Sequence, residues 1–573
     1  MASKLFFDGR TTSTPTTVSK VDDTAEQPSQ PTVGNILALV GTCTGGQPNT
    51  PLYFGNPNEV AAVLGTGPLA YAVQKAFAPS AQTNAPSTVI AIRVGRATAA
   101  SLTLLDTAGQ PSILLTSAQY GLPANQTKVK VEAGTISGLR VTTQNGQSYN
   151  VGDNLGRIPL QVLYAGLALS ATVSVSNGNV ILTAPAGTVV ATINLVDAPS
   201  VAQLADRISA VPGFTATITG GSEFTPALNG LDTLAATDCR TAALPLHADL
   251  QAVIEYLNGL GEVFVTATRP VGAGLPPAPV PFSYLAGGTS PATLFGDWTD
   301  ALNTLQSVDC QWIVPVTGDM AVADATDAHC SYMSTVGRKE RRALTGPAAG
   351  TTIDQVTAIA LQLDSDRTSV CWPGFYDFDA NGIRTLFDPF YTAVVVAAMF
   401  AGSDPGMPMT NKTVKARGLE VAVRNPTDTN RLIDGGVLCL EATPQGIKVV
   451  RSITTWLANN NFNRCEVSVG AATDFVVRNV RDAVDPLRGG EAAPSAIARA
   501  VSQTESCLRE LARPQPEGLG IIVGDALHPA YRNIRATLTG DILAVFYECS
   551  PVLPINFIPQ TASIVPYSGS AAA

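Results

Sequence analysis

The side chains with chemical potential in this sequence are few, and their spacing works against their joining in one reaction. Two glycine clusters follow apolar runs, Gly41-Thr42-Cys43-Thr44-Gly45-Gly46 and Leu285-Ala286-Gly287-Gly288-Thr289. A loop that cradles phosphates needs a Gly-Lys-Ser/Thr to hold phosphate and magnesium, or the Gly-x-Gly-x-x-Gly spacing that lets backbone approach a pyrophosphate. Neither cluster has either pattern, so both read as turns. The three histidines, His247, His329 and His528, lie far apart, and none stands with a Ser or Cys in a nucleophile elbow. His329 adjoins Cys330, but a working Cys-His pair is decided by approach in space. Asp364-Ser365-Asp366 has the alternating acids of a cation loop, yet it falls at a helix end, where solvated acids are the simpler reading. No catalytic residue, metal ligand or cofactor is assigned.

Two further groups remain. Gly337-Arg338-Lys339-Glu340-Arg341-Arg342 is the densest basic run of an acidic chain, and it faces either solvent or an acidic surface of another copy. An exposed ion pair contributes only about 0.2–1 kcal/mol, so such pairs would matter through repetition. The nine cysteines show no Cys-x-x-Cys spacing and no His-rich partner set. They read as buried free thiols of a cytosolic protein or, more sharply, as bonds between neighbouring copies, since an odd count leaves at least one thiol over.

What must position these groups is a large chain. At 573 residues it exceeds one ordinary core, and several domains are expected. Hydrophobic residues make up 45% and charged residues only 14%, a composition that suggests burial against other chains. The most apolar stretch, residues 392–401, is about half the roughly 20 residues that a spanning helix needs. The first ten residues lack the long apolar core of a secretory signal, so the chain is expected to stay in the cytoplasm. A net charge of −10 argues against a protein that coats nucleic acid.

Residues 1–31, rich in Thr, Ser and Pro, read as an extended arm. Residues 35–41 and 87–94 are short continuous apolar runs, as expected of buried strands, with helices predicted over 57–64 and 68–77. From 95 to 283 the texture becomes alternating, with turns at Asn145-Gly146 and Asn177-Gly178, which predicts antiparallel hairpins in an insertion. A helix over 200–211 and a Pro-rich connector at 270–281 accompany them. Thereafter helices (291–306, 325–338, 352–363) alternate with strands (311–315, 343–345, 369–372), the pattern of a sheet with helices packed on it. A small-residue helix at 391–402 and a hairpin at 437–443 with 447–452 follow. Helices at 474–484 and 493–512, strands at 520–523 and 542–550, and a last extended apolar segment at 555–565 complete the reading.

Several segments, taken in order, resemble the contractile bacteriophage (myovirus) tail sheath family. They are residues 36–41 with the following glycine loop, the stretch from Phe54-Gly55 to Val63-Leu64-Gly65-Thr66-Gly67, Val89-Ile90-Ala91-Ile92-Arg93-Val94 and Tyr284-Leu285-Ala286-Gly287-Gly288-Thr289. Later come Gly337-Arg338-Lys339-Glu340-Arg341, Pro373-Gly374, residues 397–402, Leu432-Ile433-Asp434-Gly435-Gly436-Val437 and Cys439-Leu440-Glu441. Arg451-Ser452-Ile453-Thr454-Thr455-Trp456 and Pro554-Ile555-Asn556-Phe557-Ile558 end the series, and the insertion has no firm match.

The resemblance implies an α/β and α+β multidomain chain with extended N- and C-terminal arms. Its parts would be an arm at 1–31, a middle α/β domain at 32–95 plus 284–425, an inserted β-rich outer region at 96–283, a tube-facing inner α+β domain at 426–554 and an arm at 555–573. It implies partners: other copies in stacked six-subunit rings, a tail tube protein, and baseplate and tail terminator proteins, with no nucleic acid and no membrane insertion. The arms would add strands to neighbouring copies, through Val18, Val21, Ile555, Phe557, Ile558, Ile564 and Val565. Arg338, Lys339, Arg341 and Arg342 are the candidates for salt bridges between subunits, and Cys43, Cys239, Cys310, Cys330 and Cys549 for disulfides between them. The place of action would be the virion tail, assembled in the host cytoplasm. The alternatives are the sheath of a non-phage contractile injection system and an α/β enzyme using the glycine loops.

Overall fold

The computed structural model describes residues 36–379, 382–515, 517–564 and Tyr567, together with the backbone of two short strands, Leu5–Phe7 and Arg10–Thr12. Continuous apolar runs such as Ile36-Leu37-Ala38-Leu39-Val40 cannot leave either strand face in water, so they are placed inside a layered sheet. The sheet has nine strands, in the order Thr413–Val414, Gly446–Val449, Val437–Thr443, Thr368–Trp372, Arg342–Thr345, Trp312–Pro315, Ile36–Gly41, Thr88–Arg93 and Pro51–Phe54. From Val437–Thr443 to Thr88–Arg93 every neighbouring pair is parallel, and the outer pairings are antiparallel.

Side-chain alternation then sorts the helices to two faces. Leu37, Leu39, Val89 and Ala91 pack with the helices Pro68–Ala76 and Pro389–Ala401. Ala38, Val40, Ile90 and Ile92 pack on the other side with Phe295–Thr304 and Met320–Thr335. Further along that second face, Val370 and Val437 meet Ile353–Leu363 and Thr427–Asp434. The Pro389 helix is buried on all sides, which explains an apolar run that shows no amphipathic stripe. Among the described residues no helix is long and apolar enough to cross a membrane. Thr352 and Gln355 form a capping box at one helix start, and Asp364 ends that helix at φ 34°, with a side-chain oxygen accepting from the Leu457 amide.

The insertion leaves the sheet after Arg93 and is pinned at its neck by Thr98 N–H to Thr289 O and Ser101 N–H to Ala286 O, 3.1 and 2.8 Å. It holds two nested cores. One gathers Ile113, Leu115, Val129, Val141 and Val253, the last on the helix Asp249–Leu257. The other lies within residues 160–246 and gathers Val162, Val173, Val180, Leu204 and Phe214. Both Asn-Gly turns join hairpin strands, and Asn177, Gly146 and Gly178 take the positive φ that such turns require.

The last part packs the helices Val467–Val484 and Pro494–Leu511 under a hairpin of Tyr531–Thr539 and Ile542–Cys549, with Ala472, Phe475, Leu508 and Ile522 between. Three expectations are corrected, and one strand is added. The hairpin at 437–449 extends the central sheet, so the unit that carries the last two helices starts after it and not at 426. The helix expected at 474 starts at Val467, because its first turns are uncharged, rich in small residues and buried on most sides, and so carry no periodic signal. Residues 520–523 contribute one bridge, Ile522 with Pro551, and no strand. The added strand is Tyr531–Thr539, whose exposed Arg532 and Arg535 break up the apolar pattern in the sequence.

Candidate assembly interface

No residue of the Tyr531–Thr539 or Ile542–Cys549 strand is fully buried. Alternation puts Ile534, Ala536, Leu538, Leu543, Val545 and Tyr547 on the less exposed side, yet each remains half-buried. Near the tip, Leu538, Leu543 and Val545 wall a cleft of about 320 Å³ with Val484, Leu487 and Ala496. The cause is width: the two strands pair with each other and with no third strand among the described residues. A two-stranded sheet is marginal in water, and each free edge is a row of unpaired amides and carbonyls.

The same chain carries an apolar segment that joins no sheet among the described residues. Beyond the anchoring contact Val552 N–H to Ile521 O, 3.0 Å, residues 555–564 form no regular element. Ile555 is 80% exposed, Phe557 79%, Ile558 75% and Ile564 91%. Asn556 is tied back: its Nδ2 donates to Glu466 Oε1 at 2.9 Å, and that fully buried carboxylate also accepts from Arg451 Nε at 2.8 Å. The Arg451 guanidinium lies 6.0 Å from the Phe557 ring centre. Val18, Val21 and Val565 lie outside the described residues. The N-terminal strands Leu5–Phe7 and Arg10–Thr12 pair with each other.

An ion-pair network joins the hairpin-bearing unit to the central sheet. Arg342 Nε donates to Asp474 Oδ2 at 2.8 Å and its Nη1 to Asp366 O at 2.7 Å, while Arg367 Nη1 reaches Asp474 Oδ1 at 2.7 Å. One helical turn on, Arg478 donates to Asp309 at 3.0 Å and to Glu340 O at 2.6 Å, and Arg481 pairs with Glu340. This corrects the expectation of intersubunit bridges from Arg341 and Arg342. Arg341 is buried and donates to Leu305 O and Val308 O, both at 3.0 Å, with His329 Nε2 at 3.1 Å. Lys339 donates to Gln306 O at 3.2 Å and Ser307 O at 3.3 Å, and Arg338 is exposed. The run leads into a central strand, so its later side chains must turn into the helix layers, where the guanidinium fork is matched by carbonyls.

The remaining chemical candidates also resolve. In the first glycine loop the Thr44 amide donates to Thr66 O and the Gly45 amide to Leu64 O, both at 2.9 Å; in the second, the Gly288 amide donates to Asn125 Oδ1 at 2.8 Å. These amides are committed inside the chain. Burial, helped by Arg341, pushes His329 down to about 4, and burial pushes the Cys330 thiol up, so the pair holds no imidazolium and no thiolate at neutral pH. Cys239, Cys310 and Cys330 are fully buried, which corrects the expectation of intersubunit disulfides for these three. Cys43 and Cys549 are half-buried, and burial pushes the Cys43 thiol up to about 11. Among the described residues no three His, Cys, Asp or Glu side chains are grouped to hold a metal.

Two solved structures share this fold over nearly the whole chain. The sheath tail protein of Listeria innocua is 12% identical with a TM-score of 0.53, covering 90% of this chain and 94% of that one. The sheath tail protein of Desulfitobacterium hafniense is 12% identical with a TM-score of 0.51, covering 93% and 100%. The chain therefore shares its fold with these two sheath tail proteins. The chain is a homologue of phage tail sheath proteins: it is 26% identical over 589 aligned positions to that of Bacillus phage SP01, covering 98% of this chain and 97% of the relative. It is 24% identical to that of Staphylococcus phage Twort, covering 78% and 80%. No family model matches.

Two measurements test this geometry. Asp474→Asn leaves Arg342 and Arg367 without their shared carboxylate, and urea unfolding should show a loss of about 3–5 kcal/mol, against less than about 1 kcal/mol for Asp485→Asn at an exposed pair. Because His329 titrates lower in the folded chain than its ordinary 6.5, the unfolded chain binds the proton first as pH falls. Stability is thus lost between about pH 6.5 and 4, by about 3 kcal/mol at the lower end, and His329→Gln should remove that share of the pH dependence.

Proposed function

We propose that this chain is the contractile sheath of a phage tail, a mechanical subunit whose working form is the polymer. Copies form six-subunit rings stacked around a tail tube, between a baseplate and a terminator. The observation that carries this reading is the coexistence, in one chain, of an open two-stranded hairpin and an exposed apolar segment at 555–564 that joins no strand among the described residues. Strand addition from one copy to the next would satisfy both, through main-chain hydrogen bonds that tether subunits while they move. The full-length likeness to phage sheath proteins favours a phage tail over a non-phage injection system.

Contraction is then a switch between two packings of the same subunits, with the extended one held metastable by tube and baseplate. If each subunit gains a few kcal/mol on changing neighbours, the sum over many subunits drives the tube without nucleotide. The Arg342–Asp474 and Arg478–Glu340 contacts would pass a pull on the hairpin into the central sheet. The tethered Asn556 would fix where the C-terminal arm leaves the subunit, and the insertion, held only at its neck, would sit on the outer surface.

Purified full-length chain should form ordered cylinders under the electron microscope, and a chain lacking residues 1–31 and 555–573 should remain unpolymerised with unchanged circular dichroism. Cylinders of normal order from the trimmed chain would overturn strand exchange as the tether.

A further inference from the structure

The antiparallel hairpin Phe375–Phe378 with Arg384–Phe387, extended by Gly418–Leu419, lies beside the Pro68 and Pro389 helices, on one side of the central sheet. It carries cations on aromatic rings: the Arg384 guanidinium is 4.2 Å from the Tyr376 ring centre and that of Arg417 is 5.9 Å from Phe378. Lys415 lines the adjoining cleft with Asp377 and Phe387. Arg384, Lys415 and Arg417 are exposed, and none has an ion-pair partner among the described residues. Exposed Arg on aromatic rings, with Phe378 48% exposed, is the composition that concentrates binding energy at protein interfaces.

The opposite side of the same sheet has the opposite charge. No Lys or Arg occurs between Arg269 and Arg338, and all the aspartates of that stretch fall from Asp297 to Asp327. Asp297 pairs with Arg96, Asp309 with Arg478, and Asp327 accepts from Thr368. Asp300 on the Phe295 helix, Asp319 at the N-cap of the Met320 helix and Asp324 within that helix remain exposed, with no ion-pair partner among the described residues. Separated by the sheet and its helix layers, the two patches cannot neutralise each other within one copy.

We propose that the basic aromatic hairpin face of one copy docks on the acidic Phe295–Met320 helix face of the next, a head-to-tail contact of unlike surfaces. Such heterologous contacts generate rings or helices where like-to-like contacts close as dimers. The occupant is thus a second copy of this chain, and the contact acts beside strand exchange, resting on the polymeric reading above. Unlike main-chain pairing, it weakens as salt screens it, and opposed like charges there are strongly unfavourable.

The test reverses charge on each face of the full chain. Arg384→Glu with Lys415→Glu and Arg417→Glu alters the first, and Asp300→Lys with Asp324→Lys alters the second, leaving the helix-capping Asp319 in place. Each set alone should raise the concentration at which cylinders sediment by at least about tenfold. Added salt should raise the threshold of the unaltered chain, and all five changes together should return it to near the unaltered value, which a folding defect would not. Thresholds unchanged by either single-face set, or no recovery in the combined chain, overturn this contact. Cylinder formation by the unaltered chain remains the separate readout of the sheath reading.

Discussion

A sheet two strands wide cannot cover its own inner face, and the arrangement of this subunit depends on that constraint. The cores of the nine-stranded sheet and of the insertion are closed by helices or by a second sheet, and their inward residues reach full burial. The hairpin at 531–549 differs from these, with its inner side chains left half-buried over two helices. At about 25 cal/mol per Å² of apolar surface removed from water, the shortfall is a standing drive toward added strands. An exposed apolar segment emerging next to that hairpin supplies the matching need.

Adding strands would do little mechanically if the hairpin hung loosely from its subunit. It does not, because the Val467 helix beneath it is wired to the central sheet through Asp474, Arg478 and Arg481. Buried ion pairs are poor sources of net stability, since desolvation offsets most of the attraction, but their geometry is demanding and fixes orientation. Shared partners add to this effect: Asp474 serves two arginines, and Glu340 serves Arg478 and Arg481. These contacts therefore fix how the C-terminal unit sits on the nine-stranded sheet.

Much of this was legible in the sequence because it depended on local pattern. Continuous apolar runs at 36–41 and 88–93 marked buried strands, and Asn145-Gly146 and Asn177-Gly178 marked hairpins through the backbone conformations those residues allow. The exposed C-terminal segment was visible as Ile555, Phe557 and Ile558 without a local complement. What failed were inferences about where side chains end up after distant segments meet. The 338–342 run looked like a charged surface, but Arg341 and Arg342 find their partners at 305, 308 and 474. The hairpin strand at 531–539 was missed because a half-buried strand with Arg532 and Arg535 on its open side has no strong apolar alternation. The candidate interface was thus half seen: the segment that would leave was read, and the surface that would receive it was not.

The central claim is that the hairpin edges are open in the free subunit and closed by other copies in the polymer. Amide hydrogen exchange across residues 531–549, compared between dissociated chain and assembled cylinders, measures this directly. Outward-facing edge amides should exchange quickly in the free chain and become strongly protected on assembly, in alternate residues along each strand. Equal exchange in both states, with cylinders formed, would contradict the account.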